Sequence, residues 1–430
     1  MTYLWVGFSV RFFSWMGLAL LPLSMSVAAV TPVTEQQVLQ IFLHKNLPLL
    51  AGQAQIEMAN AELLIAQQII NPKASLSVSG IGDQKNWSAG GSYWDRPYNN
   101  NIALTQLIET AGKRQLRIQG AELGLQAQQL LFEDLLRALK RDVLIVYYQV
   151  VKDQLVVQLS NEILEKLNET SRANFLRLKA GDISETEYNR IEVAVLKAKT
   201  DADQARLALV QSRQQLAELL VYEIHPEVLN VTNQFPQHAR PDFSKTADWV
   251  ANALNQRSDV QAADLQVNRQ QKQVELAQKQ VIPDVELGVQ AVHDPSAASR
   301  DSVGLGISVS LPLWHQYQGE VAQARADKRL SELALLQLKQ QIKTQVLQSL
   351  AQYEQKERVL QRYNQELIGR ATQIRASSLI AYQQGAISLL ELLDAENNYR
   401  STMLGYTQAQ FDLVQAQLNF DYAIGKQEGK

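Results

Sequence analysis

The 430-residue chain sets 41 Lys and Arg against 44 Asp and Glu, a formal charge of −3, and contains no cysteine. Interspersed charges of this kind leave no electrostatic footprint for a nucleic-acid partner, and the missing thiols exclude disulfides, thiolate metal sites and a lipid-modified N-terminal Cys. Ala, Leu, Gln, Glu, Lys and Arg dominate while Gly and Pro gather at a few places, which is the composition of long helices.

At the N-terminus Arg11 precedes an apolar run from Phe12 to Leu23 and the small-residue stretch Ser24 to Ala29. This pattern predicts a secretory signal over 1–29, cleaved after Ala29; the alternative is an uncleaved N-terminal anchor. Beyond it no stretch of eighteen apolar residues occurs, so a membrane crossing by the mature chain is expected to use a closed barrel.

The first structural block is predicted over 30–222. Gln53 to Gln68 reads as a helix that stops at Asn71-Pro72. Leu76 and Val78 then alternate with Ser75, Ser77 and Ser79, and Ile102 and Leu104 alternate with Asn101, Ala103 and Thr105. Period two is the strand signal, and the polar loop from Asp83 to Pro97 makes the pair a hairpin. From Lys113 to Lys179 no Pro interrupts a helix that would run roughly 100 Å at 1.5 Å per residue. Along it Leu136, Leu139, Val143, Val146, Val150, Val157, Leu164 and Leu167 follow steps of three and four, with Asp153 and Ser160 in the same seam. This predicts coiled-coil packing. Its basic clusters, Lys113-Arg114 and Arg137 to Arg141, read as solvated helix faces. Gly181 ends the helix, Ser184 caps the next, and a return helix runs from Glu185 to Leu220.

A connector is predicted over 223–248, marked by Pro226, Pro236 and Pro241, and the whole pattern then returns over 249–425, ahead of a tail at 426–430. Leu265 to Gln280 ends at Ile282-Pro283, about 211 residues after its counterpart. Val285, Leu287, Val289 and Ala291 alternate with Glu286, Gly288 and Gln290; Val303, Leu305, Ile307, Val309 and Leu311 alternate with Gly304, Gly306, Ser308 and Ser310. A polar loop from His293 to Asp301 joins them. A second long helix spans Gly319 to Gln384, turns at Gly385 and Ser388, and returns from Leu389 to about Asp421.

The fold class expected is therefore mainly α with a membrane β-barrel, built as a tandem repeat of strand hairpin and long helical hairpin. One apolar and one polar face per strand suit outer-membrane lipid on one side and a wet lumen on the other. Trp87, Tyr93, Trp94, Tyr98, Trp314 and Tyr317 lie near strand ends, where an interfacial aromatic belt belongs. The alternative is a soluble four-stranded sheet with buried aromatics. Four strands alone cannot close around water, so the barrel reading requires several chains. Chemistry has little footing. His44, His225, His238, His293 and His315 are far apart, and no His-x-x-x-His pair, phosphate loop or Gly-x-Ser-x-Gly elbow occurs. No catalytic residue, cofactor or bound metal is expected.

Together with Leu311-Pro312-Leu313 before Gly319, and Tyr382-Gln383-Gln384-Gly385 leading to Leu390-Glu391-Leu392-Leu393-Asp394-Ala395-Glu396, these segments make the chain resemble the TolC-like outer-membrane efflux proteins. The stretch Glu109-Thr110-Ala111-Gly112-Lys113-Arg114 is most similar to the cobalt-zinc-cadmium, heavy-metal branch. The resemblance implies a homotrimer with a twelve-stranded outer-membrane barrel, an α-helical tunnel across the periplasm of a Gram-negative bacterium, and a belt at mid-tunnel that holds the connector and chain ends. It implies a passive duct for heavy-metal cations, fed by a periplasmic adaptor of the membrane fusion type and an inner-membrane resistance-nodulation-division pump. Alternatives are a duct for drug efflux or type I protein secretion, or a periplasmic adaptor or scaffold. By the same resemblance, Glu391 and Asp394 line the periplasmic aperture, Glu187 belongs to the contacts that hold it closed, and the tips at Gly181, Ile183, Gly385 and Ile387 meet the adaptor. Ile387 stands where an Arg often ties the tip to its neighbour.

Overall fold

The computed structural model describes residues 32–81, 93–95, 98–236, 240–294 and 297–426; the expected signal segment, Trp87 and His238 lie outside them, as does most of the loop from Asp83 to Pro97. After α1 (Glu35–Lys45) the first repeat runs α2 (Leu47–Gln67), β1 (Lys73–Ser79), β2 (Asn99–Ile108), α3 (Lys113–Ala180) and α4 (Glu185–Leu219). After α5 (Thr246–Gln256) the second runs α6 (Ser258–Lys279), β3 (Val285–His293), β4 (Asp301–Val309), α7 (Gln318–Arg362), α8 (Ile368–Gln383) and α9 (Leu389–Ala423). Both strand hairpins and both helical hairpins of the sequence reading are present, each pair in the same order.

The four strands form one antiparallel sheet in the order β1-β2-β3-β4, so the two hairpins pair through β2 and β3. Register decides what each face is made of. Leu76, Ile102, Ala291 and Val303 stand in one cross-strand row, and Ala74, Leu104, Val289 and Leu305 in the next. Ser77, Asn101, Val292 and Ser302 form a row of the opposite face, as do Ser75, Ala103, Gln290 and Gly304. On the apolar face Val303, Leu305 and Ile307 are 82, 85 and 75 % exposed, far more than water tolerates as a continuous patch. The exposed rings Tyr93 and Trp94 lie at one end of the sheet and the exposed Trp314 at the other; Tyr98, expected in the same belt, is buried and 5.5 Å from Tyr93.

Helix α3 is 68 residues long, about 100 Å at 1.5 Å per residue, and packs against α2, α4, α6 and α9 along its length. The expected seam is only partly what is buried. Val143, Val150, Asp153 and Leu167 are buried, whereas Leu136, Leu139, Val146, Val157, Ser160 and Leu164 are half-buried. A deeper stripe runs through Val143, Tyr147, Val151, Leu159, Ile163, Leu167 and Ser171. Steps of four advance about 40° each on a helix of 3.6 residues per turn, so this stripe winds around α3 as its partners change. A seam with one fixed partner would keep steps of three and four.

The second long helix departs from expectation. It is broken at Tyr363–Leu367 by a π-helical turn, which separates α7 from α8. Opposite this turn lies Gly405 of α9, where a Cβ would collide with the Tyr363 hydroxyl. The wide turn swings the large ring onto α9 and the glycine makes room for it.

Three apolar clusters hold the elements. At mid-length Val38 and Phe42 of α1 pack with Tyr147 and Val151 of α3, Leu216 of α4, Leu229 and Val231 after it, and Val414 of α9. Val33 pairs with Val231 in an isolated parallel bridge. A second cluster joins Ala253 of α5 to Ile342 and Val346 of α7 and Phe420 of α9. The third lies at the helical tips.

Candidate functional site

At the tips, α3 closes on Gly181 at φ 84° and α8 is followed by Gly385 at φ 74°. The Gly181 N–H donates to Leu178 O at 3.0 Å and the Asp182 N–H to Arg177 O at 2.9 Å; Gly385 and Ala386 repeat this with Tyr382 O at 3.0 Å and Ala381 O at 2.8 Å. These paired bonds satisfy the last helical carbonyls and need a left-handed residue. A Cβ on either glycine would meet nothing within 4 Å, so conformation and not space selects glycine.

Each return helix then starts on a serine cap. Ser184 Oγ accepts the Glu187 N–H at 3.2 Å. Ser388 Oγ accepts the Glu391 N–H at 3.3 Å, and the Ser388 N–H donates to Glu391 Oε2 at 2.8 Å, a reciprocal capping box that the first repeat lacks. The Ser388 N–H, with its hydroxyl, holds the Glu391 carboxyl below the usual carboxylate range, so this side chain is anionic at neutral pH. Asp394 lies one turn on, exposed, on the same helix face. Glu187 is half-buried, and neither it nor Asp394 makes a side-chain hydrogen bond or ion pair among the described residues.

The two tips are packed together. Leu159, Ile163 and Leu167 of α3 and Ile191 of α4 share a cluster with Tyr382, Leu389 and Leu392, and Ile387 packs against it; Ile183 is half-buried outside that cluster. Polar ties cross between the hairpins: Tyr382 donates its hydroxyl proton to Asn174 Oδ1, Arg375 reaches Glu162 at 3.3 Å while bonding Glu396 of its own hairpin at 3.0 Å, and Arg400 pairs with Asp201. Sequence reasoning missed these ties. Their partners are up to 213 residues apart, and no local spacing signals them.

At the other end of the helices, the stretch Glu109 to Arg114 forms the joint with the sheet. Ala111 and Gly112 take φ values of 55° and 74°, which turns β2 into α3. Lys113 Nζ donates to Ile282 O at 2.6 Å and Asp284 Oδ1 at 2.9 Å, and its side chain is only 5 % exposed. Thr110 adds its N–H to Asp284 Oδ1 at 2.9 Å and its hydroxyl to Pro283 O at 2.7 Å. Burial pushes the Asp284 carboxyl up, but the Thr110 N–H and the Lys113 ammonium together hold it below its usual range. Arg114 donates to Gln67 O, and Arg117 grips both oxygens of Glu109. The expectation of a solvated basic face is overturned here: Lys113 satisfies a carbonyl and a carboxylate across the seam between repeats, while Arg114 and Arg117 bond a carbonyl and a carboxylate of their own repeat. Arg137 and Arg141 are likewise half-buried, stacked 4.8 and 4.3 Å from the Tyr422 ring centre.

Among the described residues no three His, Cys, Asp or Glu side chains converge as a metal site, and no helix is long and apolar enough to cross a membrane. The family model for outer membrane efflux proteins matches residues 38–220 and 249–426, the two repeats described above. The chain belongs to the outer membrane efflux protein family. It is an outer-membrane efflux channel, of the kind that serves tripartite systems in Gram-negative bacteria, and not an enzyme.

Individual relatives of this channel are distant. The cobalt-zinc-cadmium resistance protein CzcC of Cupriavidus metallidurans is 22 % identical over 402 residues, covering 93 % of this chain and 91 % of CzcC. The outer-membrane channel OprN matches with a TM-score of 0.75 at 17 % identity, over 91 % of this chain and 89 % of OprN. The outer membrane protein VceC of Vibrio cholerae gives 0.74 at 15 % identity, over 91 % of this chain and 96 % of VceC.

Proposed function

We propose that three copies of this channel close their sheets into a twelve-stranded barrel and their helical hairpins into a periplasmic tunnel, through which heavy-metal cations pass without being held. The observation that carries this reading is the sheet: one face apolar and exposed in register, the other polar, with β1 and β4 unpaired at its edges. In hydrocarbon an open edge leaves backbone groups unsatisfied, and a further copy of the same sheet satisfies them. The mid-length cluster of α1, the segment after α4 and α9 supports a belt in which residues 223–248 link the repeats.

In this reading the tips at Gly181, Ile183, Gly385 and Ile387 receive a periplasmic adaptor, which an inner-membrane pump of the resistance-nodulation-division type supplies with cargo. Glu391 and Asp394 of three copies ring the aperture, and Glu187 stands beside it. Metal cargo has the support of the CzcC likeness over nearly the whole chain. The Glu109 to Arg114 stretch adds little to it, because its side chains are occupied in the joint between sheet and helices. Deleting the protein in its host and scoring tolerance to zinc, cadmium, cobalt, copper and organic toxicants tests the cargo. Loss of tolerance to divalent metals is expected; sensitivity to organic toxicants alone overturns metal export.

A further inference from the structure

The polar face of the sheet is almost free of charge. Its rows hold Ser75, Ser77 and Ser79 on β1, Asn99, Asn101, Ala103, Thr105 and Leu107 on β2, Gln290 and Val292 on β3, and Ser302 and Ser308 on β4, with Gly288, Gly304 and Gly306 between. Two ionisable side chains share that face, Lys73 and Glu286. Lys73 stands in the row with Thr105, Gly288 and Gly306; Glu286 stands in the adjacent row, between Leu107 and Ser308. Both rows lie at the end of the sheet that joins the helices. Lys73 is exposed, and Glu286 is half-buried in a shallow hollow walled by Thr105, Gly288, Gly306 and Ser308. Neither makes a side-chain hydrogen bond or ion pair among the described residues.

The topology spaces these charges evenly. Lys73 is on β1 and Glu286 on β3, two strands apart within one chain. If β4 meets β1 of the next copy, Glu286 is also two strands from that copy's Lys73. We infer that Lys73 and Glu286 form a ring of three ammonium and three carboxylate groups, alternating around the mouth where tunnel passes into barrel, and that this ring sets the charge selectivity of the barrel. The inference rests on the duct reading above.

With strands about 4.8 Å apart, neighbours in the ring are about 10 Å apart around the wall. That is close to the screening length at 0.1 M salt. The signs therefore cancel over short distances, and the intact ring passes small cations and anions with little preference. Removing one sign leaves three like charges facing a lumen otherwise lined by uncharged side chains and glycines. Screening weakens each such charge before it acts on a passing ion, so either deletion should change the cation-to-anion permeability ratio about two- to fourfold.

The test uses purified full-length channel in planar bilayers, under a KCl gradient kept at or below about 0.1 M. Lys73→Gln should move the reversal potential toward cation preference and Glu286→Gln toward anion preference, and both shifts should fade near 1 M salt, where screening falls to about 3 Å. Because the chain has no native cysteine, Lys73→Cys offers a single labelling site. Attaching a positively charged aminoethyl group there through a thiosulfonate reagent should restore the parent reversal potential in the same channel. Conducting channels in which neither substitution shifts the potential, or both shift it in one direction, overturn the ring. A Lys73→Cys channel whose thiol is never reached by reagent in the bath overturns it as well. A parent protein that inserts but never conducts refutes the duct reading itself.

Discussion

Glu391 serves two purposes at one position. One carboxylate oxygen completes the cap of α9, while the group as a whole stays charged and exposed beside Asp394. A cap of this kind fixes the side chain's direction, which a free surface glutamate lacks. In the proposed trimer, changing Glu391 to Gln and Asp394 to Asn should lower cation preference and weaken block by divalent ions added on the periplasmic side. Gln at the third helical position still completes the capping box, so the fold should survive. Unaltered block in well-folded channels would remove both residues from the aperture. Asp284 acts at the opposite end. Its folded-state pKa lies below the ordinary value, so the stability it adds is present above about pH 4 and is lost as pH falls through the folded value. Asp284→Asn should destabilise the protein at pH 7 by about 3 kcal/mol, the order expected for stranding a buried Lys113, with a smaller difference as acid protonates the parent. Thermal melts of both proteins from neutral pH to pH 3 check this.

Among the helices, α3 is continuous while its counterpart is split at Tyr363–Leu367. The same repeat pattern therefore produces two unlike hairpins. Gly405 is the residue that permits the second shape, because any Cβ there meets the Tyr363 ring. Gly405→Ala should cost about 1–3 kcal/mol through overpacking. Adding Tyr363→Phe, which removes the colliding hydroxyl, should recover part of that loss, and a strictly additive double mutant would show that the contact is unimportant. The tips make a separate case. Gly385→Val forces a β-branched residue to positive φ, at roughly 1–2 kcal/mol, at a position where the added Cβ itself meets nothing within 4 Å. If this turn docks an adaptor, site-specific cross-linking to that partner should fall while the barrel still assembles. Undiminished cross-linking would place the docking surface elsewhere.

For the whole molecule, a sheet with two open edges and an exposed apolar face is incomplete as a single chain. Extraction of outer membranes should yield a detergent-stable species that cross-links to three chains. A monomer recovered in aqueous buffer without detergent would sink the trimeric duct. The joint at Glu109 to Arg114 matters at this scale too. It locks β2 and α3 of one repeat to residues 282–284 ahead of β3 in the other, so the directions of sheet and helices are coupled within each chain.

Much of this was legible in the sequence because it depends on local rules. Alternation of Val, Leu and Ile with Ser, Gly and Gln selects strands and their faces. Long Pro-free runs select helices, and Gly181-Ser184 and Gly385-Ser388 end one helix and cap the next within a few residues. What tertiary structure alone decided depends on partners distant in the chain. The winding stripe on α3 follows the succession of helices packed on it. The π turn reflects one ring meeting one glycine 42 residues later. Lys113, which resembles a solvated cation on a helix face, is buried because Ile282 and Asp284 reach it only once the two repeats pair through β2 and β3. Burial and pairing over such separations are properties of the packed chain, and no window along the sequence contains them.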